Sequence, residues 1–318
     1  METKRILITG GTGFIGSQLV KRLRGSGSYE VHELCRYVTG RYSLDSRPGD
    51  VVKHYANLAD FTAVRNVIKQ AQPDYVLHLA AISPVSFSYD HYVEVTEANY
   101  TGTINLAEAC YREVPNFKQF IFSGTSEMYG MSLRNNDERL TEDSKLVPNS
   151  PYAVAKVAAG LYLDYMKMAY GFPMTILRPY NTYGRTNNSH FFIERTITQM
   201  LKGDKVYLGD KSAIRDWLYL DDHVDAYVKA LGNKRAIGEV IQVCTGKGYT
   251  LEETAGIIAK LTNFKGQVIW NSTPKRPLDA QILIGDNSKA RKLLGWEPKY
   301  TLEEGLKKTI ESWRKALA

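Results

Sequence analysis

The chain has 318 residues, 43% of them hydrophobic and 24% charged, with 41 Lys+Arg against 34 Asp+Glu and a formal net charge of +7. This composition fits a globular protein of one large or two small domains, and no repeat or low-complexity segment breaks it. Three cysteines (Cys35, Cys110, Cys244) without a CxxC pair argue against a disulfide scaffold or zinc site, scattered positive charge argues against nucleic acid, and no apolar run reaches the roughly 18 residues of a membrane span.

The opening METKRILITG enters a strand pattern directly, with no signal peptide before it, so a cytoplasmic protein is expected. KRILITG (4–10) reads as a buried strand ending in glycine, and FIGSQLVKRLRGSG (14–27) has apolar residues at helical spacing. YEVHELCR (29–36) is a second strand, FTAVRNVIKQA (61–71) a helix and DYVLHLAA (74–81) a strand. EANYTGTINLAEACYR (97–112) is helical and KQFIFSG (118–124) a strand. A polar loop, TEDSKLVPNSP (141–151), leads into the long helix YAVAKVAAGLYLDYMKMAYG and the strand MTILRPY (174–180). Strands alternating with helices predict a parallel sheet covered on both faces. Beyond Tyr180 the order loosens: GRTNNSH (184–190) is loop-like, FIERTITQMLKG is helical, RDWLYLDDHVDAYVKAL (215–231) and YTLEETAGIIAKL follow, and a terminal helix starts near Ser288.

GGTGFIG (10–16) sets Gly10, Gly13 and Gly16 between a strand and a helix, the context of a dinucleotide site. Its glycines allow a tight turn and a close approach of backbone to diphosphate, and the helix N-terminus supplies free N–H groups. The end of the second strand carries Cys35 and Arg36, with Arg41 beyond, where an NAD site would carry an acid. A guanidinium there pairs with a 2′-phosphate, so NADP is expected, with NAD the alternative. In YAVAK, Tyr152 and Lys156 lie one helical turn apart and share a face. An ammonium beside a phenol favours phenolate, so Tyr152 is expected to act as acid or base near neutral pH. His78 and His223 fall in no HxH or HxxxH pattern and read as packing or capping residues, with no metal ligation expected.

Taken together, TGGTGFIG, HLAA (78–81), EANYTGT (97–103), GTSEMYG, SPYAVAK, LRPYNTYG (177–184), RDWLYLDD (215–222), RPLD (276–279) and LLGWEPKYTLEEGL (293–306) resemble the extended short-chain dehydrogenase/reductases of the branch that modifies nucleotide sugars. The resemblance implies an α/β, Rossmann-type doubly wound parallel sheet with a smaller C-terminal α/β substrate domain. It divides the chain into an NAD(P)-binding part, 1–180, and a mainly nucleotide-sugar-binding part, 181–318, with segments that pack back on the first. It implies cofactor contacts from Gly10, Gly13, Phe14, Ile15, Gly16, Arg36, Asn57, Leu58, Leu79, Ala80, Ala81, Asn99, Tyr152 and Lys156, and sugar-nucleotide contacts from Ser83, Asn181, Arg215 and Arg276. Guanidinium forks at Arg215 and Arg276 suit a diphosphate. The family commonly dimerises through the YxxxK helix and the helix near 97–112, so a homodimer is expected, with a tetramer as the alternative.

Thr125-Ser126-Glu127, at the end of a strand, is similar to the trio of GDP-mannose 4,6-dehydratases; C4-epimerases usually carry a small residue where Glu127 stands. The implied catalytic group is Thr125, Ser126, Glu127, Tyr152 and Lys156. Oxidation at C4 of a hexose makes the C5 proton α to a ketone, and a carboxylate base can then remove it. The expected function is therefore an NDP-sugar 4,6-dehydratase, a lyase, with GDP-mannose as substrate. The alternatives are a UDP-glucuronate decarboxylase, a C4-epimerase or 4-ketoreductase, and, from another class, a non-catalytic nucleotide-sensing protein. Ser126 replaces the Asp that dTDP-glucose-type dehydratases use as acid, Asn57 stands where an Asp contacts adenine, and Pro84 where a His often follows the serine.

Overall fold

In the computed structural model, residues 3–36, 51–133, 135, 138–186, 188–274 and 276–318 are described; Arg41 lies outside them. β1 (Lys4–Thr9), α1 (Phe14–Ser26), β2 (Tyr29–Cys35) and β3 (Val52–Tyr55) come first. Next come α2 (Phe61–Ala71), β4 (Tyr75–His78), the short α3 (Val85–Asp90) and α4 (Tyr92–Thr96), and α5 (Gly102–Glu113). β5 (Gln119–Ser123), α6 (Pro151–Tyr170), β6 (Met174–Pro179) and β7 (Asn181–Tyr183) follow. The remaining elements are α7 (Phe192–Lys202), β8 (Lys205–Tyr207), β9 (Ile214–Tyr219), α8 (Leu220–Ala230), β10 (Val240–Val243), β11 (Gly248–Thr250), α9 (Leu251–Thr262), β12 (Gln267–Ile269), β13 (Ile282–Leu283), α10 (Ser288–Leu294) and α11 (Leu302–Leu317).

Seven strands form one sheet in the order β10-β6-β5-β4-β1-β2-β3, every neighbouring pair parallel. The apolar run at Ile6, Leu7 and Ile8 fills its centre with no exposure. Ile6 and Ile8 share a core with α1, α8 and α10, while Leu7, on the other face, joins α2, α5 and α6. Residues beyond 180 divide between two layers. β10 completes the edge of the large sheet and α8 and α10 pack on it, whereas α7, α9 and α11 enclose Trp217 and Trp313 in a separate cluster. No helix among the described residues is long and apolar enough to cross a membrane.

Several short elements, among them α3, α4, β7, β8, β10, β12 and β13, were not read from the sequence, and two further differences have a clear cause. β3 sits at the edge of the sheet, half exposed and only four residues long, too short and polar to announce itself. The terminal helix expected from Ser288 is two helices: Gly295 ends α10 in the left-handed region at φ 59°, and Pro298 cannot continue a helix.

Candidate active site

β1 and β4 lie side by side at the centre of the sheet, and their connections leave to opposite sides. Such a switch point opens a crevice at the carboxyl ends of the strands. The cleft there has a volume of about 1390 Å³. Thr125, Ser126, Glu127, Tyr152 and Lys156 line it, as do Gly10, Gly13, Phe14, Ile15, Gly16, Arg36, Asn57, Leu58, Leu79, Ala80, Ala81, Ser83, Asn181, Arg215 and Arg276.

Asn99 is the exception. It is buried in the π-helical turn before α5, its Nδ2 donating to Ile82 O at 3.0 Å and its Oδ1 accepting from Ile82 N at 2.8 Å. Both ends of the amide are thus engaged in fixing the loop after Ala81.

Gly10 turns at φ +72°, and a Cβ there would stand 2.7 Å from Ala80 N. A Cβ on Gly16 would collide with Gly10 O. α1 begins at once, with Gly13 as an uncapped N-cap and no acid in its first turn. The turn is therefore a cradle of bare backbone at a helix N-terminus, which fits the diphosphate of a dinucleotide. The ring of Phe14 is covered by the Arg185 guanidinium at 4.2 Å, and Phe191 covers the same cation at 3.8 Å.

Thr125 is extended, at φ −167° and ψ 151°, and caps a 3-10 turn at Ser126–Met128 by accepting from Glu127 N at 3.2 Å. This turn delivers Glu127 to the cleft from the end of β5. Its carboxyl is 8% exposed, and Oε2 has no hydrogen-bond partner among the described residues. Burial raises its pKa, while Arg215 and Arg276 and the neighbouring Asn149 amide pull the other way.

Ser150 caps α6 by accepting from Ala153 N at 3.2 Å, and Pro151 opens the helix with its fixed φ. Tyr152 and Lys156 follow on the buried face, the phenol close to the Thr125 side chain. Lys156 Nζ donates to Ser123 O at 2.8 Å and stands 4.6 Å above the Phe122 ring. Burial pushes Lys156 down to about 7 and Tyr152 up to about 12. The expectation that the ammonium would lower the phenol is corrected for this state of the site. Loss of solvation dominates both groups, and the ammonium donates to the Ser123 carbonyl.

On the opposite wall, Arg215 pairs with Asp279 at 3.2 Å and Arg276 with the same carboxylate at 3.5 Å. Asp279, Arg185 and His223 also line the cleft and were not singled out as site residues by the sequence. Asp279 belongs to the RPLD motif and was open to discovery there, whereas nothing local marks the other two. Among the described residues, no group of three or more His, Cys, Asp or Glu side chains could hold a metal ion.

The sequence profile of the family described as GDP-mannose 4,6 dehydratase matches residues 7–309. GDP-mannose 4,6 dehydratase 2 of Arabidopsis thaliana is 32% identical over 335 residues, spanning 98% of this chain and 87% of that protein. The Arabidopsis thaliana trifunctional UDP-glucose 4,6-dehydratase/UDP-4-keto-6-deoxy-D-glucose 3,5-epimerase/UDP-4-keto-L-rhamnose-reductase is 30% identical over 317 residues. That match spans 97% of this chain but 46% of the relative, so the chain covers about half the length of that protein. Among solved structures, the Thermus thermophilus UDP-glucose 4-epimerase in complex with NAD matches with a TM-score of 0.87 at 30% identity, covering 98% of this chain and 99% of that one.

Proposed function

The chain belongs to the GDP-mannose 4,6 dehydratase family of extended short-chain dehydrogenase/reductases, and we propose that it removes water across C5 and C6 of an NDP-hexose, GDP-mannose first among them. The observation that carries this reading is Glu127, a buried carboxylate delivered into the cleft beside Thr125 and Tyr152 with one oxygen unpartnered.

A bound nicotinamide supplies the means of oxidising C4 and of returning hydride at C6, so the reaction has no net redox change. The glycine turn and α1 hold its diphosphate, and Lys156 holds its ribose. Tyr152 takes the proton of the C4 hydroxyl. Thr125 donates to the oxygen that becomes the ketone, which keeps the C5 proton acidic. Glu127 removes that proton and hands it to the departing C6 hydroxyl, a double duty suited to a carboxyl whose pKa is raised by burial. As hydride returns to C6, C5 takes a proton from solvent through Glu127, matching the one that Tyr152 took from the C4 hydroxyl and gives up to solvent. Ser126 takes no proton in this scheme. Arg215, Arg276, Asn181 and Ser83 hold the sugar diphosphate, and residues 1–180 and 181–318 divide the cofactor and sugar walls between them.

A second reading, C4 epimerisation, is favoured by the structural likeness to the Thermus enzyme. Incubation with GDP-, UDP-, dTDP- and CDP-sugars, followed by mass spectrometry, separates these readings. Loss of one water supports the dehydratase, loss of carbon dioxide a UDP-glucuronate decarboxylase, and an isomer of unchanged mass the epimerase.

Arg36, lining the cleft just past β2, is the basis for preferring NADP. Arg36→Ala should lower the NADP/NAD affinity ratio by about tenfold or more, the scale of one charge-assisted pair. Titration of both cofactors by fluorescence reads this, and an unmoved ratio would sink the assignment. α6 carries Leu161 and Met168, 60% and 77% exposed, and its Tyr170 stacks at 5.0 Å on the exposed Tyr111 of α5. This apolar face supports the homodimer, with a tetramer as the alternative.

A further inference from the structure

Thr182 has a single hydroxyl proton, and Thr182 Oγ1 donates to Tyr180 O at 2.9 Å. With that proton on Tyr180 O, the 2.9 Å contact between Thr182 Oγ1 and His223 Nδ1 runs from the ring, and Nδ1 carries the proton. Burial and the nearby Arg185 cation push His223 down to about 3, so the ring is neutral. Its Nε2 is then an acceptor. That atom is buried and has no hydrogen-bond partner among the described residues, on a side chain 4% exposed that lines the cleft. A buried acceptor left unpaired is costly, and the missing partner must be a donor.

The position of His223 selects among donors. It stands on α8, which lies against α1 through Arg22 and Asp225 at 3.2 Å, on the glycine-turn side of the cleft. One helical turn along α8, the Tyr227 ring lies 5.3 Å away, and Tyr227 in turn lies within electrostatic reach of Tyr152. In the other direction Arg185 leads to Phe14. His223 thus falls between the turn that takes the diphosphate and the Tyr152 end that takes the nicotinamide. A diphosphate has no donor at neutral pH. In the nicotinamide half the donors are the ribose hydroxyls and the carboxamide amine, which the test below separates.

We propose that His223 is a cofactor-positioning residue whose Nε2 accepts a hydrogen bond from the carboxamide amine of the bound nicotinamide, fixing the ring's orientation toward the sugar. The inference rests on the nicotinamide site read above. Thr182 acts through His223 by holding the proton on Nδ1.

The test is a cofactor titration without sugar, followed by protein fluorescence. It compares the natural dinucleotide with its 3-acetylpyridine analogue, which keeps the carbonyl but replaces the amine with methyl. The unaltered protein should bind the natural cofactor about five- to tenfold more tightly than the analogue, the worth of one neutral hydrogen bond. His223→Phe keeps an aromatic ring without an acceptor and should bind the two within about twofold of each other. Thr182→Val releases the tautomer and should lower the ratio part of the way, which gives a second reading if His223→Phe folds poorly. A ratio unchanged in both variants overturns the role of His223, and is the result expected if a ribose hydroxyl were its partner. Failure of the unaltered protein to bind either dinucleotide would overturn the nicotinamide reading itself.

Discussion

Tyr152→Phe should slow oxidation at C4 by about two to four orders of magnitude, the usual scale for removing a positioned general base. Tyr152 is 7% exposed, and phenylalanine keeps its ring and its packing. The melting temperature should therefore stay near that of the unaltered protein. Burial puts the phenol at about 12 in the unliganded site, so its proton is held tightly until substrate and cofactor arrive. The rate of C4 oxidation should accordingly rise with pH across the neutral range, and the variant should lose that slope. Single-turnover absorbance of the reduced cofactor measures both. Near-normal turnover in the variant would transfer the role to another group.

Lys156 gives a separate pH signature. Its pKa falls from 10.5 to about 7 on burial. Between those values the unfolded chain holds a proton that the folded chain has released, so stability of the unliganded protein rises with pH across this window. Below about 7 both states are protonated and the destabilisation is full; above 10.5 it vanishes. Lys156→Met should be more stable than the unaltered protein near pH 7, by a margin that shrinks as pH rises. Paired thermal melts over that range check it, and a margin independent of pH would mean that the lysine is not desolvated as described.

The lysine also shows where sequence reasoning stopped. YxxxK spacing places Tyr152 and Lys156 on one helical face, and α6 carries them so. The spacing says nothing about the Ser123 carbonyl, 33 residues away, to which the ammonium turns, nor about the burial that dominates both groups. The glycine turn was legible for the opposite reason: its strand, turn and helix are contiguous, and their geometry is decided locally. Asn99 sits inside a recognisable motif, yet its amide serves Ile82, because the π-helical turn that aims it leaves no local pattern. His223 becomes a cleft residue only when α8 docks on α1, a packing that joins positions 203 residues apart at Arg22 and Asp225, and Arg185 only when its guanidinium meets Glu194 of α7 and Phe14 of α1. Periodicity reports which face of an element is apolar, and long-range docking decides what that face meets.

Glu127→Gln should separate two half-reactions. Oxidation at C4 relies on Tyr152, Lys156 and the cofactor, so it should continue. Elimination needs a carboxylate, so it should slow by about 10²-fold or more. Reduced cofactor should then accumulate on mixing with sugar, and little deuterium should enter C5 from solvent. Glutamine is nearly isosteric, and Oε2 has no hydrogen-bond partner among the described residues. Removing a buried charge whose carboxyl is already shifted toward its neutral form should not weaken the fold. A packing role for Glu127 would lower both half-reactions together with the melting temperature. A C4-epimerase would keep full activity, because its chemistry never touches C5. If hydride returns to C4 faster than the reduced form builds up, enzyme in excess over sugar in a single turnover exposes the transient. Dehydration at the normal rate by this variant would remove Glu127 from the reaction, and with it the observation on which the dehydratase reading stands.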